Sequence, residues 1–168
     1  FQFLARRYDD AIGQVNRTLE LAPNLGIAHM VMATIYAKKE TYAEAIAECE
    51  KALALAPDED NPYFLATLGW VYGVSGRQPS AQKLLDQMME LSKRRKVDPA
   101  DIATIYAGLG EEDPAFEWLN KAYEQRSFRL IFLKVIPTYD SLRDDPRFQD
   151  LLHRMNFPPP EDAGQAEY

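Results

Sequence analysis

Cysteine and histidine are scarce in this chain. Cys49 stands alone, and His29 and His153 are the only histidines among 168 residues. One cysteine cannot close an intrachain disulfide, and two distant histidines give little material for a histidine-rich metal site or a histidine-based triad. The signatures GxxxxGK[ST], GxGxxG, HExxH, CxxC and GxSxG are absent. No apolar run approaches the roughly 20 residues of a membrane span, and the opening FQFLARRYDD has no signal-peptide pattern. Acidic side chains outnumber basic ones, 26 to 19, giving a net charge of −7. That balance favours solubility and disfavours a nucleic-acid surface. The expectation is a soluble, non-enzymatic chain with no cofactor, no metal, no nucleic-acid partner and no membrane partner. It is expected in the cytoplasm, or in the periplasm if a parent chain carries a transmembrane span. The first residue is Phe1, so the sequence is expected to be a piece of a longer protein.

What is present is repetition. YDDAIGQVNRTLELAP at 8–23 aligns with YAEAIAECEKALALAP at 42–57, with Tyr8/Tyr42, Ala11/Ala45, Ile12/Ile46, Leu19/Leu53 and Pro23/Pro57 each 34 apart. Tyr72/Tyr106, Gly76/Gly110 and Ala81/Ala115 keep the same spacing, whereas Tyr36 to Tyr72 is 36. A two-residue insertion in the loop at 58–61 accounts for the difference. Within a unit the apolar positions Tyr42, Ala45, Ile46, Cys49, Ala52 and Leu53 follow i, i+3, i+4, i+7, which is one stripe of a helix. Prolines at 23, 57 and 62 punctuate these stretches. The pattern predicts helices near 8–21, 25–38, 41–55, 62–75, 78–94, 98–109, 112–125, 127–135 and 145–155, hence an all-α fold. The units are a partial first repeat at 8–23, repeats at 26–59, 62–95 and 96–126, a C-terminal cap at 127–157 and a flexible tail at 158–168.

A 34-residue helix pair with this signature resembles the tetratricopeptide repeat. Leu68, Gly69, Tyr72, Gly76 and Ala81 carry the fuller match, with Tyr36, Ala45, Ala52 and Pro57 before it and Tyr106, Gly110, Ala115 and Ala122 after it. The resemblance implies a right-handed superhelix of helix pairs, helix A followed by helix B, whose A helices line a groove for a protein or peptide partner. The groove positions correspond to Ile27, Met30, Thr34 and Lys38 in the second unit, to Tyr63, Ala66, Trp70 and Val74 in the third, and to Thr104 in the fourth. Ala37, Gly73, Val97, Ala100, Ala107 and Gly108 complete the groove positions that the resemblance implies. Lys38 alone among these suits clamping of a peptide carboxylate, so that mode is not implied. Trp70 is the best candidate anchor if it is exposed at the groove centre; the alternative is that it packs on a neighbouring helix.

The stretches 90–127 and 133–155 resemble, further, the C-terminal tetratricopeptide segment of large bacterial regulators, in which it follows a winged-helix, serine/threonine kinase or nucleotide cyclase domain. The implied function is a protein-interaction module of such a regulator. The alternative is a structural spacer or self-association segment whose groove is filled by its own C-terminal segment, with Phe128, Phe132, Tyr139 or Phe157 as the plug. The incomplete first repeat leaves an apolar face with little to cover it, which suggests truncation or a homo-oligomer formed there.

Other motifs read more plainly. Glu44, Glu48 and Lys51 share the solvated face of one helix. His29 reads as a packed side chain, and Cys49 as a small buried hydrophobe. KRRK at 93–96 could touch a phosphate, but it also suits the negative end of a helix dipole. In DDPRFQDLLHRM, Asp145 is placed to cap a last helix with Pro146 at its first position. Phe148, Leu151, Leu152 and Met155 then form the buried stripe, with Arg147 and Asp150 on the solvated side.

Overall fold

The computed structural model describes residues 8–58 and 60–157. The expected flexible tail at 158–168 lies outside the described residues. The α-helices are α1 (Tyr8–Leu21), α2 (Gly26–Lys38), α3 (Tyr42–Leu55), α4 (Pro62–Val74), α5 (Gln78–Ser92), α6 (Pro99–Leu109), α7 (Glu112–Glu124) and α8 (Pro146–Arg154). Two 3-10 helices, Phe128–Phe132 and Pro137–Leu142, stand between α7 and α8. No strand occurs among the described residues. The fold is all-α, built of consecutive packed pairs α2/α3, α4/α5 and α6/α7.

The pairs share one turn chemistry. The turn after each A helix holds a residue of positive φ, Glu40 (62°), Gly76 (77°) and Gly110 (76°). The next N–H returns to the carbonyl of the repeat's tyrosine: Thr41 to Tyr36 at 3.0 Å, Arg77 to Tyr72 at 2.8 Å and Glu111 to Tyr106 at 3.0 Å. That bond satisfies a carbonyl left open at the helix end and reverses the chain into helix B. Glycine fits the left-handed conformation in two of the repeats, and Glu40 adopts it in the other.

Packing follows the small residues. Ala45, Ala52, Ala81, Ala115 and Ala122 are completely buried, and they let helices approach closely. The approach is closest between α4 and α6, where a Cβ on Gly108 would sit 2.7 Å from the Trp70 Cα. The inserted loop at 58–61 is held by Arg95, which pairs with Asp58 and bonds the Asp60 carbonyl. The basic run starts at the C-cap of α5, Lys93, which pairs with Glu90, and Arg95 beyond it pairs with Asp58 of the loop. His29 is held between the Glu48 carboxylate (2.6 Å) and the Pro23 carbonyl (3.3 Å). Cys49 is buried, which pushes its thiol pKa well up.

The structure departs from the sequence reading in the C-terminal third. The continuous helix expected at 127–135 is a short 3-10 helix, and the Pro137–Leu142 turn had no counterpart in the prediction. Leu130 and Leu133 are buried at a three-residue interval while Phe128, Ile131 and Phe132 stay exposed, and a 3-10 turn brings that interval onto one side. The last helix forms as expected. The Asp145 side chain accepts from the Arg147 N–H at 2.8 Å, Pro146 opens the helix, and Phe148, Leu151 and Leu152 are buried against α6 and α7 side chains. Arg147 does more than face solvent. Its guanidinium stacks on the Phe116 ring at 4.2 Å and bonds Asp113 at 2.7 Å, fastening α8 to α7. At the other end of the described chain, Ala11 is the only fully buried side chain of α1, and Leu21 is 90% exposed.

Candidate binding site

Helices α2, α4 and α6, the A helices of the three pairs, stand side by side, and the segment 127–142 lies against the face they form. Four polar links hold it there. The Ser127 hydroxyl donates to Asp98 at 2.6 Å, and Asp98 also caps α6 by accepting from the Ala100 N–H at 2.9 Å. Arg129 Nε stands 3.1 Å from an Asp101 oxygen, and its guanidinium covers the Tyr63 ring at 4.3 Å. The Tyr139 hydroxyl reaches the Ala100 carbonyl and the Thr104 hydroxyl, each at 2.9 Å. Lys38 pairs with Asp140 at 3.0 Å. Arg143 then folds the segment on itself through the Ile136 carbonyl at 3.1 Å and Asp140 at 2.8 Å.

The segment does not fill the face. A cavity of about 530 Å³ remains between it, the N-terminal helix α1 and the A helices. Its walls are largely apolar, with Val15 from α1, Ile27 and Val31 from α2, and Phe128, Phe132 and Ile136 from the C-terminal segment. Asp101 with Arg129 and Thr104 with the Tyr139 hydroxyl form bonded polar pairs in this lining, to which Gln14 and Thr34 also belong. Burial and the neighbouring Asp98 push the Asp101 carboxyl up to about 7, against the opposing pull of Arg129. Burial likewise pushes the Tyr139 phenol well above the usual tyrosine range.

Of the groove residues implied by the resemblance, Ile27, Thr34, Tyr63 and Thr104 come together around this cavity. Lys38 stands beside the face, already paired with Asp140. Met30 and Ala66 are core side chains, and Val74 lies at the exposed end of α4, away from the cavity lining. Of the two alternatives for Trp70, exposed anchor or packed ring, the structure has the second: it is 4% exposed and lies in one cluster with Met30, Ala33 and Ala37 of α2. The Gly108 contact brings α6 against the Trp70 backbone, so the ring is enclosed between helices rather than offered to a partner. Sequence reasoning missed the Asp101–Arg129 pair. The lone acid within the otherwise uncharged PADIATIYAGL, and the single charge within SFRLIFL, were the available signals.

Among the described residues no helix is long and apolar enough to cross a membrane, and no cluster of three metal-ligating side chains occurs. No curated protein and no solved structure matches the chain. A family model, the tetratricopeptide repeat, matches residues 28–59, a span that takes in most of α2 and all of α3. With that helix pair recurring as α4/α5 and α6/α7, the match supports the tetratricopeptide family, and the all-α fold of consecutive helix pairs is consistent with a solenoid of that kind.

Proposed function

We propose that this chain is a non-enzymatic protein-binding module of a larger bacterial regulator. In this reading the partner inserts an apolar side chain into the cavity instead of lying along the whole groove. Tetratricopeptide repeats generally mediate protein–protein contact. The observation that carries the reading here is local: Ile27, Phe128 and Phe132, exposed by 44%, 64% and 44%, line one apolar cavity. Exposed apolar side chains gathered at one opening are the usual mark of an interaction site. The regulator context rests on the C-terminal sequence resemblance.

Panning a random-peptide library on the immobilised chain tests this. Peptides with a large apolar residue should be enriched on the wild type and lost on Val31→Trp, which fills the cavity. Enrichment of nothing, or of peptides that bind both forms equally, would defeat the reading.

A second reading is favoured by the pinned segment itself. If the segment is a permanent filling of the face, the chain is a structural spacer, and the panning experiment returns no binders.

A further inference from the structure

Two charged side chains, Asp101 and Arg129, line the apolar cavity, and they are not equally available. The Asp101 side chain is 4% exposed and lies beneath Arg129, whose side chain is 29% exposed. Arg129 spends Nε on Asp101 and one flat face on the Tyr63 ring. Asp98 stands at 4.0 Å from the same Nε, and the two Nη groups donate no hydrogen bond among the described residues. A molecule entering the cavity therefore meets a guanidinium whose position is already fixed and whose fork is unused. That geometry matches a carboxylate, which the fork can take with two parallel hydrogen bonds.

We propose that the cavity binds a small amphipathic acid, with Arg129 clasping the carboxylate and Val15, Ile27, Val31 and Phe132 enclosing its apolar body. The space, about 530 Å³, falls within the roughly 300–1,000 Å³ of pockets that hold small ligands. Apolar enclosure with a few convergent polar groups is the usual make-up of such a pocket. The binding group comes from the C-terminal segment, so the ligand would rivet that segment to the A helices as well as fill the space beside it.

The charge balance gives the site a signature. The groups that face Asp101 are Arg129 from the C-terminal segment, Asp98 at the start of α6, and the phenols of Tyr63 on α4 and Tyr139 on the second 3-10 helix. An incoming carboxylate adds a negative charge beside an acid that already holds its proton up to about pH 7. It raises that acid further, so binding takes up a proton near neutrality and weakens as pH rises. This ligand goes beyond the partner reading and does not depend on it, because an apolar peptide anchor has no need of Arg129.

Calorimetric titration of the full chain with octanoate, octanamide and octylamine separates the possibilities. Octanoate should bind at least about tenfold more tightly than the other two, with proton uptake visible in buffers of different ionisation enthalpy and affinity falling between about pH 6 and pH 8. Arg129→Gln should remove about tenfold of the octanoate affinity and leave octanamide unchanged; Arg129→Lys should recover part of it, and Val31→Trp should abolish binding of every probe. Octanamide or octylamine binding as well as octanoate, no response to Arg129→Gln, or no octanoate binding would each overturn the proposal. If Arg129→Gln loosens the fold, octanamide affinity drops as well, and the wild-type proton count decides: octanoate binding without uptake refutes the site. Loss of octanoate binding in Arg129→Gln with retained peptide binding would keep the acid site apart from the partner reading.

Discussion

Gly73 and Gly108 touch backbone to backbone where α4 crosses α6: a Cβ built on Gly73 would lie 2.3 Å from the Gly108 carbonyl carbon. Neither helix can yield without dragging its neighbours, because Ile105 presses on Gly69 one turn away. Gly108→Ala should therefore destabilise the fold by about 2 kcal/mol or more, as overpacking against backbone does. Gly13→Ala, where nothing lies within 4 Å of the new carbon, should instead stabilise α1 by about 0.5–1 kcal/mol. Urea unfolding of the two variants checks the contrast, and equal effects would mean that the α4–α6 contact is slack.

Glu40 occupies, at φ 62°, the turn position that Gly76 and Gly110 hold in the following repeats. A side chain in the left-handed conformation carries a steric cost, and glycine removes it at some entropic expense in the unfolded chain. Glu40→Gly should raise stability by about 0.5–1 kcal/mol. A lower unfolding midpoint would show that Glu40 makes a contribution the turn geometry does not reveal.

Asp101 should leave its mark on the pH dependence of stability. Its carboxyl is raised from 3.8 to about 7 in the folded chain, so between those values the folded form holds a proton that the unfolded form has released. Stability from this group is greatest at the acid end and declines as pH rises from about 4 to about 7, at no more than about 1.4 kcal/mol per pH unit. Above pH 7 it is level. Asp101→Asn lacks this decline, so the stability difference should move toward the variant up to about pH 7 and then stay constant. Parallel curves for the two proteins would exclude a raised Asp101.

The cap of α8 separates charge from hydrogen bonding. Asp145 accepts from the Arg147 N–H and holds the Arg147 guanidinium, contacts that lower its pKa. Asp145→Ala should reduce the melting temperature by about 2–4 °C, whereas Asp145→Asn keeps an acceptor for the N–H and should recover most of that. Identical melting of all three would remove the cap from the account of this helix.

The repeats were legible because their determinants are local. Tyr36, Tyr72 and Tyr106, with Gly76 and Gly110 after the last two, mark each turn within one helix length, and the structure uses those residues for the same hydrogen bond. Pro146 and Asp145 disclosed the last helix for the same reason. The site was less legible because it joins residues far apart in the chain. Arg129 meets Asp101 and Tyr63, and Tyr139 meets Thr104, and no spacing rule relates these positions. Sequence alone left Trp70 open between an exposed anchor and a packed ring, because its environment depends on how close α4 and α6 come, which glycines on both helices decide together.

The Lys38–Asp140 pair has a consequence for how the molecule folds. A solenoid of this kind is quasi-one-dimensional: each repeat touches only the next, and its ends can fray independently. Here the second 3-10 helix bonds both the end of α2 and the body of α6, so residues of the α2/α3 pair are tied to chain that follows α7. Such a closure adds loop entropy to the cost of folding and slows it. In return it makes loss of one end felt at the other. The described repeats are therefore expected to unfold in one cooperative transition, and cutting the chain after α7 should turn that transition into a graded, end-first melting.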